Sequence, residues 1–172
     1  MSNQIIFNRN LQQARVQNTK WVAMIKILTL NLPTKDYEFE PTLLHTNFGK
    51  WFYKEATLLS ATNCAGLIED IELTLLSMYQ NFIPIYEITI IDRKTNFLGK
   101  NKLLTTLEKE TINKFYLKIV AISSKFHKQL KKLEKVLNAK SEQEFAIFSS
   151  IYQEEPKNSL SSNNKDTLAI SG

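Results

Sequence analysis

Cysteine is almost missing from this chain. Cys64 stands alone, so one chain can form neither an internal disulfide nor a cysteine-based zinc cluster. Histidine occurs only as His45 and His127, too few for a histidine-rich metal site. Glycine is scarce, with 4 residues in the chain. Phosphate-cradling loops need glycine so that backbone N–H groups can approach the ligand. No GxxxxGK[ST], GxGxxG or GxSxG pattern is present. Long apolar runs are also lacking. The stretch from Trp21 to Leu32 is interrupted by Lys26 and Asn31 and is too short to span a bilayer. The opening residues MSNQIIFNRNLQQ have no charged start, apolar middle or small-residue cleavage site of the kind a signal peptide carries. The expectation is a soluble, cytoplasmic protein with no cofactor and no catalytic or metal site.

Hydrophobic residues make up 43% of the 172 residues, enough for a real core. Net charge is +5 and the isoelectric point is about 9.2, which permits binding to nucleic acid or acidic lipid without requiring it. Apolar periodicity predicts a helix over 5–32, with Leu11, Ala14, Trp21, Val22, Ile25 and Leu28 on one face and Asn18 in the middle of that stripe. Pro33 is expected to end it, and Pro41 to open a shorter helix. A helix is predicted over 57–82, with Leu58, Thr62, Ala65, Ile68, Leu75, Leu76 and Tyr79 inward and Pro84 as its stop. Residues 85–91 read as helix by spacing or as strand by β-branched content, and helix is preferred. Further on, a helix over 101–114, a buried strand over 115–122, a lysine-rich helix over 125–139 and a strand-like run over 145–152 are predicted. Residues 154–172, rich in Ser, Asn and charge, read as a disordered tail.

Two resemblances follow from short motifs. Phe48-Gly49-Lys50-Trp51-Phe52-Tyr53, behind a first helix carrying Asn18-Thr19-Lys20-Trp21, resembles the core of chemoreceptor zinc-binding domains. That family has an HxxW element on its first helix, a CxFGKW-type motif, a histidine pair on its third helix and a homodimeric helical bundle. The resemblance puts the family's zinc ligands at Asn18 and Thr46, and Asn and Thr are poor ligands beside imidazole and thiolate. Asp92-Arg93-Lys94-Thr95-Asn96-Phe97-Leu98-Gly99-Lys100 resembles the opening of GGDEF-type diguanylate cyclase domains. There the family's metal-binding carboxylates would fall on Ser123 and Lys125. Its signature hairpin would fall on 141–145, where only Glu144 and Phe145 match. Two-metal phosphoryl chemistry needs carboxylates to hold Mg²⁺, so no cyclase activity is expected.

The combined expectation is a mainly α protein. Residues 1–91 would form an antiparallel helical bundle, 92–153 a shortened α-β-α-β remnant and 154–172 the tail. Asn18 would be either a buried polar residue setting helix register in a dimer, the preferred reading, or a residue at a solvated edge; Trp21, Phe48 and Trp51 would be core aromatics, and Cys64 a small buried residue. The expected role is a non-catalytic interaction protein related to zinc-sensing diguanylate cyclases, acting as a homodimer or with other signalling proteins. The alternatives are a plain helical interaction protein, or a nucleic-acid-binding protein using Lys125, Lys128, Lys131, Lys132 and Lys135. Those lysines share one broad helix face, with Leu130, Leu133, Val136 and Leu137 opposite. Such a face is most often simply solvated, and no aromatics interleave to stack on bases.

Overall fold

The computed structural model describes residues 3–32, 47–54, 56, 59, 63–92, 103–141 and 143. They form four α-helices: α1 (Asn3–Thr29), α2 (Asn47–Lys54), α3 (Ala65–Tyr86) and α4 (Thr106–Asn138). A π-helical turn over Glu87–Ile91 extends α3. No strand occurs among the described residues. The polar connection over 34–41, the helix start at Pro41, the strand-like run over 145–152 and the tail over 154–172 lie outside them.

The stripe expected on α1 is buried except at Val22, which is half-buried. Leu11, Ala14, Asn18, Trp21, Ile25 and Leu28 are all sheltered from solvent, one turn apart on a single face. The helix stops earlier than the expectation from Pro33. It ends at Thr29, and Asn31 takes a left-handed conformation with φ 53°, a position asparagine tolerates as a helix terminator.

Helix α3 buries Ile68, Ile71, Leu75, Met78, Tyr79, Phe82 and Ile85. Leu76, expected inside, is 40% exposed, and Ala65 is exposed. Pro84 does not interrupt this helix. It sits inside α3, and the chain passes into the π turn, where the Asp92 N–H donates to the Glu87 carbonyl at 2.8 Å. The i→i+5 bonding of the turn widens the helix at its C-terminal end. Residues 85–91 are therefore helical, the preferred of the two readings.

The clearest correction concerns 115–122, expected as a strand. These residues lie in the middle of α4, one unbroken helix of 33 residues. Burial decides the matter. Ile112, Ile119, Ser123, Phe126, Leu130, Leu133 and Leu137 are buried, while Leu117 and Val120 are exposed, a period of 3.6 and not of 2. β-Branched and aromatic propensity is a weak preference, and packing on a long amphipathic face overrides it. The helix opens with a capping box. The Glu108 N–H donates to the Thr105 hydroxyl at 3.2 Å, and the Thr105 N–H donates to the Glu108 carboxylate at 2.6 Å.

Helix α4 runs antiparallel to both α1 and α3. At one end the Gln4 amide reaches the Leu137 carbonyl at 3.5 Å and Asn8 reaches Asn138 at 2.7 Å. At the other, the Lys26 ammonium lies 4.8 Å from the centre of the Tyr116 ring. Toward α3, the Gln129 amide donates to the Asp70 carbonyl at 3.1 Å. Helices α1 and α3 are consequently parallel to each other, and the antiparallel pairing of each is with α4. Trp21 bridges α1 to α3, stacking on Tyr79 at 5.3 Å and meeting Phe82 edge-on at 5.2 Å. Helix α2 adds Phe52 to the core. Its Tyr53 hydroxyl donates to Glu72 of α3 at 2.9 Å. Burial, with Glu72 beside it, pushes the Tyr53 phenol up to about 12. One hydrophobic core collects side chains from before and after residue 92.

Candidate functional site

Two features of this bundle carry chemistry: a polar contact in the core and a basic face with a groove beside it. The first is built on Asn18. Its side chain is fully buried. The Ser123 hydroxyl of α4 donates to Asn18 Oδ1 at 2.5 Å, and Asn18 Nδ2 donates to the Met78 sulfur of α3 at 3.2 Å. Three helices thus meet at one amide. Asn18 and Ser123, which the two resemblances place in two separate metal sites, are hydrogen-bonded to each other. The ligand set is an amide, a hydroxyl and a thioether, none of which suits zinc or magnesium beside thiolate, imidazole or carboxylate.

The remaining motif residues scatter. Trp51 is half-buried with its indole N–H lacking a hydrogen-bond partner, Gly49 is buried and Lys50 is exposed. Cys64 is buried, 2% exposed. Asp92 is exposed beyond the π turn and Lys125 is exposed on α4. Thr46, Glu144, Phe145 and the Phe48 side chain lie outside the described residues. Among the described residues, no group of three or more His, Cys, Asp or Glu side chains is gathered to hold a metal ion. No helix among them is long and apolar enough to cross a membrane.

The second feature is larger than the sequence reading had it. Because α4 is continuous, Lys114 and Lys118 join Lys125, Lys128, Lys131, Lys132 and Lys135 along one exposed side. At 1.5 Å per residue the stripe from Lys114 to Lys135 is about 31 Å long. Helix α4 holds eight lysines against three glutamates, a net +5 and thus the whole net charge of the chain. Everything outside α4 balances to zero. Of its glutamates, Glu134 points away from the stripe and pairs with Arg15 of α1 at 2.7 Å. The signal that would have found Lys114 and Lys118 was helical continuity through 115–122.

A groove of about 430 Å³ runs beside this stripe, between α1 and α4. Thr19 and Val22 form one wall, and Val120, Ser124, His127, Lys128 and Lys131 the other. His127 Nε2 is shielded and has no hydrogen-bond partner. The ring is hydrogen-bonded to the Arg15 backbone, which falls to Nδ1, the other ring nitrogen. Burial holds the His127 imidazole below its ordinary pKa, and the positive charges of Arg15 and Lys131 push it the same way.

Comparison with family models, with curated proteins and with solved structures gives no match for this chain.

Two outcomes test this geometry. Asn18→Ala should cost about 2 kcal/mol in urea unfolding, because it strands the Ser123 hydroxyl in the core. Ser123→Ala combined with it should cost less than the sum of the two single changes. For His127, the unfolded chain takes up a proton near the ordinary value of about 6.5, and the folded protein only at lower pH. His127 therefore contributes its full stability above pH about 6.5 and loses it as pH falls through that window. Tm should decline on acidification more steeply in the wild type than in His127→Asn, which keeps a donor for the Arg15 carbonyl.

Proposed function

We propose that this protein is a non-catalytic binding module whose α4 lysine face docks on the phosphate backbone of a nucleic acid duplex. The observation that carries this reading is the segregation of charge: helix α4 carries the whole net +5, and seven of its eight lysines lie along one exposed side. A solvated helix needs no such segregation. A stripe of about 31 Å approaches one turn of duplex, roughly 34 Å. Lysine is a flexible point charge suited to phosphate contact, and the lack of interleaved aromatics favours backbone contact over base stacking. Binding of this kind is independent of sequence and releases counterions, so affinity should fall steeply with salt. Replacing Lys125, Lys132 and Lys135 by Gln should flatten the slope of log affinity against log salt by about 2.7, at about 0.9 per lost contact. A gel-shift titration at several salt concentrations measures it. No binding to duplex DNA or RNA at low salt rules the reading out. Binding confined to vesicles of anionic lipid, or to acidic proteins, reassigns the face.

A second reading follows the resemblance to zinc-sensing diguanylate cyclases. It takes the protein as a non-catalytic relative that works by pairing with a second copy or with signalling proteins. It is favoured by the burial of Asn18 against α3, since the sensor layout needs this position of the first helix to face the third. Leu73, Leu76 and Ile83, exposed on one side of α3, are the face such pairing would use. The purified protein should then contain no zinc and make no cyclic di-GMP from GTP. Stoichiometric zinc by metal analysis, or product by chromatography, contradicts that account.

A further inference from the structure

The groove between α1 and α4 holds groups that the lysine stripe alone does not explain. Lys128 and Lys131 line it, so they face the groove as well as the outer side of α4. Between them and α1 stand the hydroxyl of Ser124 and the imidazole of His127. Val22 and Val120 add apolar surface, and the buried Ser123 also lines the groove. The combination is two ammonium groups, a hydroxyl donor and a ring nitrogen without a partner. That is a donor-rich, cation-rich pocket open to solvent on the side where a polyanion would lie. Among the described residues that line it there is no carboxylate. Glu134 of α4 is paired with Arg15 at 2.7 Å.

We infer that this groove is a phosphate subsite, in which Lys128, Lys131 and Ser124 hold one phosphate of the docked duplex and the His127 imidazole becomes a fourth, charged donor to it. The inference rests on the reading of α4 as a nucleic-acid face and adds to it a defined seat and a proton. Without a ligand, the charges around His127 are Arg15 from α1 and Lys128 and Lys131 from α4, with Glu134 held by Arg15. These oppose its protonation. A phosphate between the lysines reverses the balance. It cancels their field at the ring and offers an acceptor to Nε2–H once the ring rotates or shifts by a small amount. His127 then takes one proton from solvent as the phosphate arrives. By linkage, phosphate binding must strengthen as pH falls through the titration range of His127. Turning Nε2 toward the phosphate gives up the Nδ1 bond to the Arg15 carbonyl, and the charge-assisted bond to the phosphate takes its place.

The test is an NMR titration of the two histidine C2 protons against pH, in the full chain. His45→Gln assigns the signals, and in the wild type His45 serves as an internal reference. It is run in sodium chloride, in inorganic phosphate at equal ionic strength, and with a short DNA duplex. The expected result is an upward shift of the His127 titration in phosphate and with the duplex, and no such shift at His45. Lys128→Gln with Lys131→Gln should abolish the shift. Lys125→Gln with Lys132→Gln should leave it in place, although both pairs weaken duplex binding equally in salt slope. His127→Asn should remove the strengthening of duplex binding at acidic pH while leaving affinity at pH 8 within about twofold. If the duplex binds with its full salt slope and His127 titrates unchanged, the subsite is disproved and the lysine face survives. If phosphate shifts His127 but no duplex binds, the subsite survives and the nucleic-acid reading fails. Equal shifts at His45 and His127 mean a general salt effect and overturn the subsite.

Discussion

The bundle is organised around a polar group that cannot reach water. The Asn18 amide is buried at the meeting point of α1, α3 and α4, and a buried amide without partners costs about 1–3 kcal/mol. Only one sliding position along the helices brings Ser123 of α4 and Met78 of α3 to it together. A shift of one turn, about 5.4 Å, would strand the amide beside aliphatic side chains. Leucine and isoleucine contacts above and below tolerate such shifts far better, because dispersion and burial have little directionality. The contacts at the ends of the bundle agree with this register: Asn8 with Asn138, Arg15 with Glu134, and Lys26 over Tyr116. The result is specificity of alignment, a role well attested for single buried asparagines between helices.

Fixing the register also fixes which side of α4 faces outward. The helix is amphipathic, and once Ile119, Ser123, Phe126, Leu130 and Leu133 are committed to the core, the lysines have one side left. Mutual repulsion among them is modest because they are solvated and screened, about 0.2–0.5 kcal/mol for like charges at i,i+4 spacing. The field of the stripe is nevertheless of one sign over its length, as the remainder of the chain contributes no net charge. Arg15 and Glu134 neutralise each other across α1 and α4 at the edge of the groove. That pairing keeps the one α4 carboxylate in this region away from the lysine side.

His127 sits where these two systems touch. It lies one turn beyond Ser123 on α4, close to the register-setting contact, yet it borders the groove that opens beside the lysines. Burial holds its pKa below the ordinary value and its cationic neighbours reinforce that.

Much of this was legible from residue order. The apolar stripe of α1, the polar interruption at Asn18 and the inward side of the last part of α4 follow from a 3.6-residue period. Such a period needs no knowledge of partners. The charge imbalance follows from counting. Other features depended on what packs against what. Residues 115–122 have strand-like composition, and only docking on α1 and α3 makes them helical, because burial of a continuous face outweighs intrinsic propensity. Pro84 reads as a stop, but the helix continues through it and passes into a π turn over Glu87–Ile91. The partners of Asn18 lie 60 and 105 residues away in sequence, beyond any local pattern. The sequence by itself determined which residues are apolar, where they recur and how much charge there is. Only the tertiary structure decided that the charge gathers on one uninterrupted face and that Asn18 closes on Ser123, because both depend on distant segments meeting in one register.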